Sequence, residues 1–249
     1  MAPHDWNAAD YDRVNAGIIA LGVEVLERLP LHGDETVLDA GCGTGALTRR
    51  LVERLPDGAA IALDASPQMV EYARERLGDS AEVLQADLAH FDLGGRTVDA
   101  VFSTATFHWL KDHEQLFRNL RGVTRDGGRL VAQCGGLGNI EPINSVLHEV
   151  SRREPYASAL PWDQPHHFAG PEETQRRLAA AGYATSKCWL EDRPIYPEDV
   201  GKHLREVVLG AHIEALGPQT GEQFAREVEA ELGDYDSVAY VRLNIDAVA

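Results

Sequence analysis

The chain has 249 residues and carries 23 Lys and Arg against 40 Asp and Glu, a formal charge of −17. A surface this negative repels phosphate backbones, which argues against nucleic acid as a partner, and no apolar run reaches the roughly 18–20 residues that span a bilayer. The opening MAPHDWNAADYDR has no basic segment followed by an apolar one, and the three scattered cysteines (Cys42, Cys134, Cys188) argue against a disulfide scaffold or zinc site and for a reducing, cytoplasmic setting.

In chain order, Ile18, Leu21, Val25 and Leu29 recur at helical spacing before Pro30. Residues 36–40 read as a short strand that runs into a glycine cluster. A helix follows, with Leu47, Leu51 and Leu55 on one face and Pro56-Asp57-Gly58 as its stop. Residues 59–63 read as a second strand. Ser66-Pro67 then supplies an N-cap and a first helical residue for the face Met69, Val70, Ala73 and Leu77. Residues 81–85 and 97–103 read as strands three and four. Asp112 with Gln115 resembles a capping box ahead of Leu116, Phe117 and Leu120, and Asp126-Gly127-Gly128 turns into a fifth strand at 129–134. Residues 137–170 read as a short helix near 143–150 within a long loop that holds His166 and His167. A helix at 172–181, a strand at 183–190, helices at 198–215 and 221–232, and a strand at 238–245 complete the chain. In that last strand Ala239, Val241, Leu243 and Ile245 alternate with Arg242 and Asn244. Strands separated by helices pair in parallel, while the last can pair either way. The whole predicts one α/β domain over residues 1–249, with insertions at 137–170 and 197–233 that act as a lid.

The central feature is Val37-Leu38-Asp39-Ala40-Gly41-Cys42-Gly43-Thr44-Gly45: a strand, three alternating glycines, then a helix whose first N–H groups are free. Two ligand classes compete for it. Gly41, Gly43 and Ala46 can be fitted to a dinucleotide fingerprint. Asp39, expected at the mouth of the loop, disfavours a pyrophosphate and suits S-adenosylmethionine, which carries an ammonium and a sulfonium and no phosphate. Asp64, beside Ala65 at the end of the second strand, can accept both ribose hydroxyls. Asp87 at the end of the third can accept from the adenine amino group, and the Leu88 N–H can reach a ring nitrogen. Strand ends in open α/β sheets converge on one crevice.

The strings VLDAGCGTG, ALDAS, QADL and FSTATFHWL resemble the successive motifs of class I S-adenosylmethionine-dependent methyltransferases. The resemblance implies the Rossmann-like sheet order 3-2-1-4-5-7-6, its last strand antiparallel, and S-adenosylmethionine as cofactor. The N-terminal WNAADY, with FAGPEET and YVRLNI, is similar to the trans-aconitate methyltransferase-like group, which methylates a carboxylate oxygen of a small acid. Where that group carries arginines soon after the position of Tyr11, this chain has Ala16-Gly17-Ile18-Ile19-Ala20, which points to a less charged or more apolar substrate.

By the same crevice argument, Ser103 through Leu110 faces the methyl group. Ser103 is expected on the cofactor, while His108 either deprotonates a hydroxyl or amine or donates to a carboxylate. Trp109 is expected to wall the substrate or cofactor, and Tyr11 with Trp6 to form a flap. No metal is expected, since adjacent histidines without further ligands rarely bind one. The leading function is methyl transfer to a small molecule, most simply at a carboxylate oxygen, by a monomer or homodimer. A phenol, amine or carbon acceptor, a nicotinamide-dependent oxidoreductase and a non-catalytic S-adenosylmethionine-binding protein stay open.

Overall fold

A computed structural model describes residues 16–161 and 165–249. Seven strands form one sheet in the order β3-β2-β1-β4-β5-β7-β6. The strands are β1 (Thr36–Ala40), β2 (Ala59–Asp64), β3 (Glu82–Gln85), β4 (Val98–Thr104), β5 (Thr124–Gly135), β6 (Thr185–Asp192) and β7 (Val241–Val248). β7 runs antiparallel to both β5 and β6, and the other pairings are parallel. The order and the antiparallel last strand are those the resemblance implies.

Helices cover both faces because each presents one apolar stripe. On one face, Val25 and Leu26 of α1 (Ala16–Arg28), Leu29 just after it and Leu51 of α2 (Ala46–Glu53) pack against Val37, Phe102 and Val131. On the other, Leu116, Phe117 and Leu120 of α4 (His113–Val123) and Leu178 of α7 (Pro171–Ala180) pack against Leu38, Val101 and Leu130. α3 (Pro67–Leu77) sits beside the glycine loop, with Ala73 and Leu77 against Cys42 and Ala62. Its N-cap is Ser66, whose Oγ accepts from Met69 N at 3.4 Å.

The two inserted segments share one further core. α5 (Ile143–Ser151) and α6 (Tyr156–Ala159) come from the first. The second gives α8 (Val200–His203), a π turn at Leu204–Val208, α9 (Gly210–Leu216) and α10 (Pro218–Leu232). Leu147, Val150, Tyr156, Leu204, Val208 and Phe224 meet there, so this helical layer is held by its own apolar contacts.

Several expectations are corrected. The helix expected over 198–215 is broken by the π turn. Asp112 Oδ1 accepts from Gln115 N at 2.8 Å, but the Gln115 side chain turns to Asn119 instead of closing the box. β5 starts at Thr124, because the Gly127-Gly128 turn is itself tied to the C-terminus by Gly127 N to Ala249 O (2.8 Å) and Ala249 N to Gly128 O (2.9 Å). β7 lies three residues later than expected, and Val238 makes only a bridge to Ile195. Its Arg242 and Asn244 face is also buried, at 2% and 0% exposure, because α1 covers it and Arg28 donates to Asn244 Oδ1.

Candidate active site

The carboxyl ends of β1, β2, β3 and β4 border one crevice of about 590 Å3, well within the size of small-molecule sites. Of the residues singled out in the sequence, it is lined by Gly41, Gly43, Asp64, Ala65, Asp87 and Leu88, and also by Trp109.

The loop after β1 is folded by its own backbone. Gly41 N and Cys42 N both donate to Leu63 O, at 2.8 and 3.0 Å. Asp64 then holds the rest: Oδ2 accepts from Gly43 N and Oδ1 from Ser66 N, each at 2.9 Å. Burial raises the Asp64 carboxyl above its ordinary range, and these backbone donors oppose the shift. Gly43 has φ 53° and open space where a Cβ would stand, so bare peptide faces the crevice there. Asp87 lies at the tip of β3, its Oδ1 accepting from Ala89 N at 2.9 Å. Leu88 is buried beside it.

Three expected contacts are moved elsewhere. Asp39 is not at the mouth of the loop. It is 2% exposed beneath it, with Thr48 Oγ1 of α2 donating to its Oδ2 at 2.6 Å. Strand alternation turns this side chain toward α2, away from the crevice. Gly45 does not face the ligand either. A Cβ there would meet Leu77 Cδ1 at 3.1 Å, so it allows the start of α2 to approach α3. Ser103 Oγ donates to Ala40 O at 2.6 Å and fastens β4 to β1 instead of reaching the cofactor. Cys42 lies in the loop as a buried thiol pushed well above its usual range by burial and the nearby carboxylates, which makes it unreactive. Tyr11, Trp6 and Trp162 lie outside the described residues.

Burial pushes the Asp39 carboxyl up to about 7, and the nearby Asp64 charge adds to this. Its folded value thus lies above the unfolded one, so ionised Asp39 weakens the fold above pH 7, and the penalty fades as pH falls from 7 toward 4. Asp39→Asn is therefore expected to stabilise the protein by a few kcal/mol at pH 8 and by much less at pH 5, read by denaturant melts. Equal effects at both pH values would show that charge burial is not the cause.

His108 and Trp109 sit in a 3-10 turn, Phe107–Trp109, after β4. Trp109 and Ala105 line both the crevice and a second, smaller cavity of about 70 Å3 that adjoins it. His108 lines only the second, together with Asn139, His166, Tyr240 and Arg242. Among the described residues, positive φ outside glycine occurs at Ala105 (53°) and Ile140 (58°), and both border this cavity. Backbone strain of this kind collects at functional sites. Gly135 N donates to His108 Nδ1 at 3.3 Å, so neutral His108 carries its proton on Nε2. Burial, then the neighbouring His166 and Arg242, hold its pKa well below the ordinary value. His166 is pushed down to about 3, and the Tyr240 phenol up to about 12, both chiefly by burial. His167 points away, toward His113 and Arg177. Among the described residues no group of three His, Cys, Asp or Glu side chains is placed to hold a metal ion.

The sequence reasoning missed Arg242, Asn139 and Tyr240, which line the second cavity, and also Ala211 and Glu214 of α9, which line the crevice. The available signal was position. A strand flanked by neighbours on both edges and helices on both faces has no solvent side, so its charged residue must be buried with purpose.

Residues 37–128 match the family model described as a methyltransferase domain. The chain is 33% identical over 204 residues to the malonyl-[acyl-carrier protein] O-methyltransferase of Geobacter sulfurreducens, spanning 80% of this chain and 75% of that one. It is 36% identical over 157 residues to the trans-aconitate 2-methyltransferase of Methylobacterium radiotolerans, spanning 63% of this chain and 59% of that one. Among solved structures, the YcgJ protein of Bacillus subtilis superimposes with a TM-score of 0.63 at 17% identity, covering 92% of this chain and 97% of that one. At that identity the likeness speaks for the fold.

Proposed function

The chain belongs to the class I S-adenosylmethionine-dependent methyltransferases, and on that premise we propose that it methylates a carboxylate oxygen of a small molecule. S-adenosylmethionine supplies an electrophilic methyl group on sulfur. The crevice fits this cofactor: open peptide at Gly43, a carboxylate at the tip of β2 for the ribose hydroxyls, and Asp87 with Leu88 at the tip of β3 for the adenine edge. We assign those contacts to Asp64, Asp87 and Leu88, with Ala65 beside the ribose.

The observation that carries the acceptor class is the state of His108. Its Nδ1 is occupied by Gly135 N–H, and its basicity is suppressed by burial. It is a hydrogen-bond donor through Nε2, not a base. The other titratable groups of the second cavity fare no better: His166 holds a proton only below about 3, and Tyr240 releases one only near 12. A phenol, alcohol or ammonium acceptor needs a base with a pKa near the working pH. A carboxylate is already ionised. Its oxygen would take the methyl group that the bound cofactor supplies, with sulfur keeping the bonding pair, so no proton would have to be moved by His108 or its neighbours. The protein's task is alignment and exclusion of water. The walls for this are Trp109 and the α9 residues, which supports the reading of the inserted helices as a lid.

The carboxylate reading is tested by the product. A methyl ester made from labelled cofactor releases volatile methanol in base, whereas an ether or N-methyl product does not. Base-stable label would overturn the carboxylate assignment. His108→Ala is expected to spare S-adenosylhomocysteine affinity and lower kcat/KM by about 10- to 100-fold, the worth of one hydrogen bond to a charged group. Loss of cofactor affinity with turnover intact would remove His108 from the acceptor side.

Among the described residues no helix is long and apolar enough to cross a membrane. The charge of −17 and the buried or half-buried free thiols support a small-molecule acceptor in a reducing compartment such as the cytoplasm.

A further inference from the structure

The glycine loop is held by more than β2 and Asp64. Gly41 N and Cys42 N are fastened to Leu63 O, and Gly43 N to Asp64. The next residue is Thr44, just before the Gly45 that caps α2, and it is 3% exposed. A buried carbonyl and a buried hydroxyl both need partners. Here one guanidinium nitrogen serves both. Arg76 Nη1 donates to Thr44 O at 3.0 Å and to Thr44 Oγ1 at 2.7 Å.

Arg76 belongs to the last turn of α3 and reaches the loop from its exposed side. α3 therefore grips the loop from both of its ends. At the start, Ser66 N shares the Asp64 carboxylate with Gly43 N. At the finish, Arg76 takes Thr44. Neither Arg76 nor Thr44 is among the described residues that line the crevice. A cation in the last turn is also favourable to a helix by itself. Arg74 fills such a place without touching the loop, since its Nη2 donates to Val83 O at 3.4 Å.

Which end of the cofactor the loop serves follows from the contacts assigned above, on which this inference rests. With adenine at the tip of β3 and ribose at the tip of β2, the next strands in the sheet are β1 and β4. The amino-acid end of the cofactor then lies along the loop that follows β1. That end has the most freely rotating bonds, and a wall that is already ordered lowers the cost of fixing them.

We propose that Arg76 is a positioning residue for the cofactor: through Thr44 it fixes the glycine loop in the shape that receives the amino-acid end, without touching the cofactor itself.

The test compares two ligands on the full chain by calorimetry, directly and by displacement. One is S-adenosylhomocysteine. The other is methylthioadenosine, which keeps the nucleoside and the sulfur but lacks the amino-acid end. Arg76→Ala is expected to weaken S-adenosylhomocysteine about tenfold and methylthioadenosine by less than about twofold. Arg76→Lys keeps a charged donor and is expected to recover part of the loss. Thr44→Val removes the hydroxyl and is expected to cost about threefold in the parent, but little more once Arg76 is alanine, because the two side chains act as one unit. Arg74→Ala is expected to leave both affinities as they are. Should Arg76→Ala fail to fold, Thr44→Val carries the same comparison of ligands. Equal losses for the two ligands would make Arg76 a support of the fold at large, and a matching loss in Arg74→Ala would make it a helix-end charge. Either result, or an unchanged S-adenosylhomocysteine affinity, overturns the inference while the cofactor contacts stand. Asp64→Ala is the separate check on those contacts and is expected to weaken both ligands. If it spares methylthioadenosine, the ribose assignment fails and this inference falls with it.

Discussion

Asp64→Ala is expected to lower S-adenosylhomocysteine affinity by at least about 100-fold, measured by calorimetry. The size follows from two roles carried by one carboxylate. Asp64 accepts from Gly43 N and Ser66 N, both at 2.9 Å, and so sets the shape of the loop and the start of α3. It also lines the crevice at the tip of β2, where we assign the ribose hydroxyls. Alanine removes the acceptor for both backbone donors and for the ligand. Each hydrogen bond to a charged group is worth about 1.5–3 kcal/mol, and about 2.7 kcal/mol is already a hundredfold. Asp64→Asn keeps one carbonyl acceptor and introduces a donor that opposes a backbone N–H. It should fall between alanine and the parent. Affinity unchanged in Asp64→Ala would remove Asp64 from the cofactor site and leave it a loop fastener. A fall in Tm alone would say the same.

Much of the crevice lining was legible because its residues sit at places the backbone fixes. A strand that ends in glycines, and carboxylates at the next two strand ends, must share one edge of a parallel sheet. What could not be read was which way a side chain points once the strand has ended. Asp39 and Ser103 lie within the reach of the crevice in sequence, yet strand alternation aims one at Thr48 and the other at Ala40 O. The second cavity was less legible for a different reason. Its residues come from distant parts of the chain: His108 after β4, Asn139 after β5, Val207 from the inserted helices and Arg242 from β7. No local pattern marks such a set. The π turn was hidden as well, since the apolar spacing over 198–215 matches an unbroken helix. Arg242 read as the solvent side of an alternating strand, and only the pairing of β7 between β5 and β6, under α1, turns that side inward.

The protein is expected to lose its fold between about pH 5 and pH 4, well before its surface carboxylates are fully protonated. The cause is buried imidazole. His113, His203 and His212 are each pushed down to about 4, and His166 to about 3, chiefly by burial. Two of them lie where the helical layer meets the sheet's carboxyl edge: His166 stacks on Phe168 and lies beside Trp109, and His212 stacks on Phe224. A histidine whose folded pKa is below its unfolded 6.5 gives its full stabilisation above pH 6.5 and loses it as pH falls toward the folded value. Over that window the unfolded chain takes up the proton first. At about 1.4 kcal/mol per unit, a histidine at about 4 gives up about 3 kcal/mol by pH 4, and three of them approach the whole stability of a domain. Asp39 acts with the opposite sign, regaining about 4 kcal/mol at most as pH falls from 7 to 4, which is not enough to offset the group. Circular dichroism against pH reads the transition. His113→Gln keeps a donor for Phe107 O, which His113 Nε2 now contacts at 2.8 Å, and it cannot take up a proton. It should move the acid midpoint down by about half a pH unit. A midpoint that stays in place, or one that moves up, would show that protonation of buried histidine does not govern the transition.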